Sequence, residues 1–232
     1  VITSEDHFSH SEMSLELYES ILLQLKGQPV ERLSLFLMNE PLLDKRIYDW
    51  IQRAREQLPQ VELGLFSNGS ALTLKTAKKL ADAGLSELCV SFHGFDKEPY
   101  ERVMKGLSFE RTLHNMGSVM DAYKNGDLGD LKIQVVSGDV PDITSSQEYA
   151  QSSIEEFVVL KGFSNERHVS MTDDPSDADR SSFSEHTKLC QRPFVKLYIM
   201  SDGTCVLCNC DWRKSVVLGK ISGEPGGSIS EI

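Results

Sequence analysis

The chain has 232 residues, with 24 Lys and Arg against 35 Asp and Glu, for a formal net charge of −11. That length supports one large core, or one core with a small appendage, while the acidic balance and the lack of any Lys/Arg cluster exclude a nucleic-acid-binding surface. No apolar stretch is long enough to span a bilayer and Val1-Ile2-Thr3-Ser4-Glu5-Asp6 is no targeting signal, so a cytoplasmic setting is expected, with no membrane partner.

In chain order, Ser14 can cap a helix whose apolar face is Leu17, Ile21 and Leu25, ended by Gly27 and Pro29. Leu33 to Met38 is a nearly unbroken apolar run and predicts a strand covered on both faces. After Asn39-Glu40-Pro41, the spacing of Ile47, Trp50, Ile51, Ala54 and Leu58 predicts a second helix, closed by Pro59. Val61 to Phe66 is the next strand. Ser67-Asn68-Gly69 turns the chain, Thr73 caps a helix carrying Leu74, Ala77 and Ala81, and Gly84 ends it. Leu88 to Phe92 is a further strand, and Cys89 within it reads as an inert core thiol.

Beyond Ser91-Phe92-His93-Gly94 comes an irregular charged segment, then a helix around Leu113, Met116, Val119, Met120 and Tyr123. Leu131 to Val136 reads as a strand, Ile154 to Leu160 as helix and His168 to Met171 as the last strand of the series. Strands separated by helices of this length pair parallel, giving an open sheet or barrel. Ligands in such folds sit at the carboxyl ends of the strands. Three successive strands end there in polar or turn-forming residues: Asn39-Glu40-Pro41, Ser67-Asn68-Gly69 and Ser91 with His93.

Thr172 to Ser184, rich in Asp and Ser, reads as a linker to Cys190–Trp212, which holds four of the five cysteines. Phe194 to Met200, the turn Ser201-Asp202-Gly203-Thr204 and Val206-Leu207 predict a hairpin. Folding it would bring Cys190 beside Cys205, Cys208 and Cys210, so that thiolates could share a zinc or an iron–sulfur site. The odd cysteine count and the absence of an apolar signal segment disfavour a disulfide framework. Both ends read as cut from a longer sequence: there is no initial Met, and the chain stops at Ser228-Ile229-Ser230-Glu231-Ile232 as a helix begins.

Taken together these stretches resemble the radical S-adenosylmethionine enzymes that carry a C-terminal auxiliary-cluster domain of the SPASM or shorter twitch type. Asn39-Glu40-Pro41-Leu42-Leu43 stands where that family has Gly-Gly-Glu-Pro-Leu-Leu; Ser67-Asn68-Gly69 is similar to its Thr-Asn-Gly, and Ser91-Phe92-His93-Gly94 to its Ser-Leu-Asp-Gly. Cys190, Asp202-Gly203 and Cys208 resemble the opening of the auxiliary domain, and Val217-Leu218-Gly219-Lys220-Ile221 its continuation.

The resemblance implies an α/β fold: a partial (β/α)6 TIM-like barrel of parallel strands lacking its first strand in this chain, plus a small C-terminal hairpin cluster domain. The implied boundaries are a barrel over residues 1–171, a linker over 172–189 and the auxiliary domain over 190–232. S-adenosyl-L-methionine would be bound by Asn39, Glu40, Pro41, Ser67, Asn68, Gly69, Ser91 and His93. Cys190 and Cys208 would hold an auxiliary [4Fe–4S] cluster, with Cys205 and Cys210 as further candidates.

The family's Cys-x3-Cys-x2-Cys loop belongs before the first helix and is absent from Val1–Met13, so it is expected to lie outside this sequence, the alternative being a degenerate relative without that chemistry. The implied activity is reductive cleavage of S-adenosylmethionine to a 5′-deoxyadenosyl radical. That radical takes a hydrogen atom from a peptide or from a small metabolite such as a sugar or aminocyclitol alcohol, with a flavodoxin- or ferredoxin-like protein as reductant. Two other readings stand beside it: a zinc-stapled binding or scaffold protein, and a barrel hydrolase using Glu40 with Asp44 or His93.

Overall fold

The computed structural model describes residues 12–37, 39–92, 97–136, 192–209, 216–222 and 228–229. They fall into two compact units. The readings made for Met38, His93, Ile154–Leu160, His168–Met171, the 172–184 linker, Cys190 and Cys210 lie outside the described residues.

The larger unit begins at Pro29. Its sheet holds four parallel strands in the order β1 (Arg32–Ser34), β2 (Glu62–Ser67), β3 (Glu87–Ser91) and β4 (Lys132–Val136). Neighbouring strands are consecutive in sequence and separated by helices, which is the arrangement of the expected barrel wall. Helix α2 (Ile47–Gln57) follows β1, α3 (Leu74–Asp82) follows β2, and α4 (Lys97–Val103) and α5 (Phe109–Lys124) follow β3. Thr73 caps α3 as its sequence promised, accepting a hydrogen bond from the Thr76 amide, and Gly84 ends it at φ +91°.

Two sequence expectations change here. The run from Leu33 gives a strand of only three residues, Arg32–Ser34, none of them buried. Among the described residues it is an edge strand, bonded to β2 alone, so half of its surface has no sheet against it. The charged segment after Phe92 holds a short helix, α4, because Tyr100 packs its ring 4.8 Å from Phe92 and 5.6 Å from Phe109. Aromatic burial of that size outweighs a locally polar composition.

The register gives the sheet two unlike faces. Leu63, Leu65, Leu88, Val90, Ile133 and Val135 share one face and are at most 5% exposed, and Val90 and Thr112 of α5 both lie close to Gly69. The other face carries Arg32, Ser34, Glu62, Gly64, Phe66, Glu87, Cys89, Ser91 and Gln134. Arg32 pairs there with Glu62 at 3.1 Å and, across the bare backbone of Gly64, with the buried Glu87. A Cβ on Gly64 would come within 2.5 Å of the Arg32 guanidinium, so the glycine is what lets that side chain cross the strand. Cys89 is 1% exposed and donates weakly towards Glu87 and Gln134; burial, then the Glu87 charge, pushes its thiol up to about 12. It is inert as expected, on a polar face rather than an apolar one.

The smaller unit combines α1 (Leu15–Leu25) with the C-terminal segments. Ser14 caps α1 by accepting from the Leu17 amide. The helix face Leu17, Ile21 and Leu25 was assigned to the barrel domain from sequence, but it packs against Cys205, Ile221, Leu197, Ile199 and Ile229. The Ile229 amide donates to the Gln24 side-chain oxygen at 2.8 Å. These partners come from the antiparallel sheet β5 (Tyr198–Ile199), β6 (Thr204–Val206), β7 (Val217–Lys220) and its flanks.

The predicted hairpin forms, with Tyr198 opposite Val206 and Ile199 opposite Cys205. Its first strand is shorter than expected, because Arg192–Val195 make a single helical turn, α6, with Phe194 and Val195 exposed. Gly203 turns the hairpin at φ +84°, and a Cβ there would meet the Ile221 carbonyl oxygen at 2.2 Å.

Candidate functional site

The carboxyl ends of β1, β2 and β3 lie along one edge of the larger unit's sheet, because all three strands run parallel with Ser34 beside Gly64 and Ser67 beside Val90. The polypeptide leaving β1 returns to the tip of β2 through Glu40. This residue starts the 3-10 turn Pro41–Leu43, where Pro at the first position suits a turn that needs no amide there.

The Glu40 carboxylate is held by three donors. Oε1 accepts from the Ser67 hydroxyl at 2.7 Å and from the Leu42 amide at 3.1 Å, while Oε2 accepts from the Asn68 amide at 2.6 Å. A carboxylate has about four acceptor positions, two on each oxygen. Among the described residues Oε1 is therefore full, and Oε2 keeps one position beside the Asn68 backbone. Glu40 as a residue is half-buried.

The other predicted residues take different parts. Ser67 is 2% exposed and its hydroxyl also accepts from the Gly69 amide at 3.0 Å, so it is an internal brace and not a ligand contact. Gly69 was expected among the residues that bind S-adenosylmethionine. Its φ of +74° and the position of a would-be Cβ, 3.1 Å from Val90 Cγ1 and 3.3 Å from Thr112 Cγ2, show that it is needed for the turn and for packing under the sheet. Asn68 uses its side-chain oxygen to accept from the Ser70 amide. Asn39 is exposed and accepts from the Leu37 amide, closing the bend before Glu40, and Pro41 is buried in the turn. Ser91 is half-buried on the polar face at the next tip. Phe36 and Phe66, which sequence reasoning passed over, stack at 4.9 Å between centroids near these tips. Phe66 lies two residues before Asn68 on the strand's polar face, and that alternation was the signal that could have found it.

Asp44, proposed with Glu40 as an acid–base pair, is bonded to Arg46 through Nε and Nη2 at 3.0 and 2.7 Å. The Arg46 side chain holds it below the usual carboxylate range, which keeps it ionised and unfit as a proton donor. With Glu40 tied to three donors, the Glu40–Asp44 form of the hydrolase reading loses both members; the form with His93 falls outside the described residues.

For a metal, Cys205 is excluded. It is fully buried in the small unit's core between Ile21 and Ile221, its Sγ lies 3.7 Å from the Gly203 carbonyl, and burial pushes its thiol up. Cys208, half-buried just past β6, is the described thiol that can reach a ligand. Among the described residues no three Cys, His, Asp or Glu side chains converge on a metal position.

Comparison with solved structures finds the same fold in several proteins. The chain is 18% identical to BtrN, solved with AdoMet and 2-DOIA, at a TM-score of 0.56, over 92% of this chain and 68% of that one. Against native anSMEcpe with bound AdoMet the identity is 14% and the TM-score 0.56, over 99% of this chain and 74% of that one. Against Streptococcus suis SuiB bound to its precursor peptide SuiA the values are 15% and 0.50, over 92% of this chain and 56% of that one. At such identities the likeness speaks for the fold. No curated protein sequence matches the chain. The sequence pattern of the Radical SAM superfamily matches residues 3–131, more than half of the chain. S-adenosylmethionine and a [4Fe–4S] cluster are the cofactors of that family, and this chain, with its parallel strand tips and braced carboxylate, belongs to the Radical SAM superfamily.

Proposed function

We propose that the chain is the larger part of a radical oxidoreductase that binds S-adenosylmethionine along the tips of β1, β2 and β3 and oxidises a peptide side chain or a small alcohol. The observation that carries this reading is the single open acceptor position on Glu40 Oε2, which matches one N–H of the cofactor's amino group. The donor set fits that end of the molecule: a fixed anion for an ammonium, with the Asn68 backbone alongside.

Bound S-adenosylmethionine supplies hydrogen-atom abstraction once it receives an electron. The chain's own residues orient it and keep its surroundings dry. Glu40 fixes the amino-acid end, and the Phe36–Phe66 pair gives an apolar wall near the strand tips, where water would quench a radical. A flavodoxin- or ferredoxin-like protein is the proposed electron donor. Cys208, together with Cys190 and optionally Cys210, is proposed to hold an auxiliary cluster. Zinc in that place would give a colourless protein.

The test is anaerobic incubation of the cluster-replete full-length protein with S-adenosylmethionine and a low-potential reductant. Release of 5′-deoxyadenosine, lost in Glu40→Ala together with cofactor binding, supports the reading. Wild-type protein that neither binds the cofactor nor releases the nucleoside overturns it.

A further inference from the structure

Ser67 has one hydroxyl hydrogen and gives it to Glu40 Oε1 at 2.7 Å, while the same oxygen accepts from the Gly69 amide at 3.0 Å. At 2% exposure it offers almost no surface to a ligand at the strand tips. Its bond instead selects the rotation of the carboxylate. With Oε1 tied to the tip of β2 and to the Leu42 amide, Oε2 is turned to the Asn68 amide and its remaining lone pair is left for something outside the protein. The side chain that fixes the carboxylate also closes the Asn68-Gly69 turn, so the anion and its neighbouring backbone are set as one piece. No other side-chain bond to Glu40 is found among the described residues.

We propose that Ser67 is a positioning residue for the amino-acid end of the cofactor: it acts through Glu40, without contact, by holding Oε2 in its accepting orientation. This rests on the reading of the site given above. It makes a separable claim, because only the part of the ligand that meets Glu40 should sense Ser67. Loss of a hydrogen bond to a charged group, followed by rotational freedom of the carboxylate, should weaken that contact by about tenfold or more.

The experiment compares two probes on the full-length protein by equilibrium dialysis: S-adenosylmethionine, and 5′-methylthioadenosine, which has the nucleoside but no amino-acid end. In Ser67→Ala, affinity for S-adenosylmethionine should fall by about tenfold or more while that for 5′-methylthioadenosine stays within about twofold. Ser67→Thr, which keeps the hydroxyl, should restore the first affinity. Ser67→Cys, similar in shape with a weaker donor, should lie between, and serves if the alanine variant does not fold. Unchanged affinity in Ser67→Ala and Ser67→Cys, equal losses for both probes, or failure of Ser67→Thr to rescue would each overturn the proposal. Wild-type protein that binds neither probe would instead overturn the site reading itself, and wild-type protein that binds both equally would remove the role given to Glu40.

Discussion

Replacing Glu40 by Gln keeps the size of the side chain and removes one acceptor oxygen. The native carboxylate serves Ser67 Oγ, Leu42 N and Asn68 N. A glutamine whose oxygen stays with Ser67 and Leu42 points its NH2 at the Asn68 N–H, two donors facing each other; turned the other way, it abandons both Oε1 partners. The first arrangement loses one charge-assisted bond and leaves a half-buried amide without an acceptor, which together cost about 2–3 kcal/mol after allowance for solvent access. Converted at about 1.4 kcal/mol per tenfold, that is roughly 30- to 150-fold faster amide exchange at Asn68 through local opening. Hydrogen exchange followed at single-residue resolution reads this directly, with the Ile133 and Val135 amides in β4 as unaffected internal references. If Asn68 and Leu42 exchange at wild-type rates in Glu40→Gln, the carboxylate does not brace the tips and the account of the site fails.

Gly203→Ala should unfold the small unit preferentially: left-handed backbone alone costs about 1–2 kcal/mol, and the contact with the Ile221 carbonyl adds to it. Loss of exchange protection at Ile221, which donates to Gly203 O, with β2 and β3 unchanged, is the expected outcome; wild-type protection would refute it. In metal-free reduced protein at pH 8, a brief iodoacetamide pulse should label Cys208 and spare Cys89 and Cys205: the Cys89 thiol, pushed up to about 12, holds only about one thiolate in 10⁴ at that pH, and Cys205 is fully buried with its thiol raised by that burial. Peptide mapping by mass spectrometry checks this, and equal labelling of Cys205 and Cys208 would contradict the core assignment.

Asp202 supplies a pH test. Partial burial disfavours its charge, but the Thr204 amide and hydroxyl and Lys220 outweigh that and hold it below the ordinary aspartate range. A lowered folded value means that the contribution is fully present above the unfolded value and is lost as the pH falls through the folded one. The stability advantage of wild type over Asp202→Asn in the small unit should therefore be flat near neutrality and fall away progressively as the pH drops below about 4, as followed by denaturation at a series of pH values.

Much of this was readable because it is local. Ser14 and Thr73 cap their helices, Gly84 stops α3 and Gly203 turns the hairpin for reasons contained within a few residues of each position. The alternation of helix and apolar strand compels parallel pairing, and parallel pairing sends Glu40, Asn68 and Ser91 to the same edge. Other features depend on which face a residue takes and what lies across from it. Cys205 and Cys208 look equivalent in sequence, yet strand alternation and the irregularity at Cys205/Val206 turn the first thiol into the core under α1 and leave the second half-exposed.

The amino-acid sequence by itself determined the class of fold, which follows from periodicity, caps and short-range turn chemistry, and the family, which follows from the pattern it shares with the Radical SAM superfamily. Tertiary structure alone decided what each site residue does. Ser67 reaches Glu40 across 27 positions, Arg32 finds Glu87 across 55, and Gln24 meets Ile229 across 205, and none of these pairings leaves a local trace. A hydroxyl or a carboxylate has the same bonding capacity wherever it stands. Whether that capacity is filled from within the protein or left open to a ligand depends on the neighbours that folding brings to it.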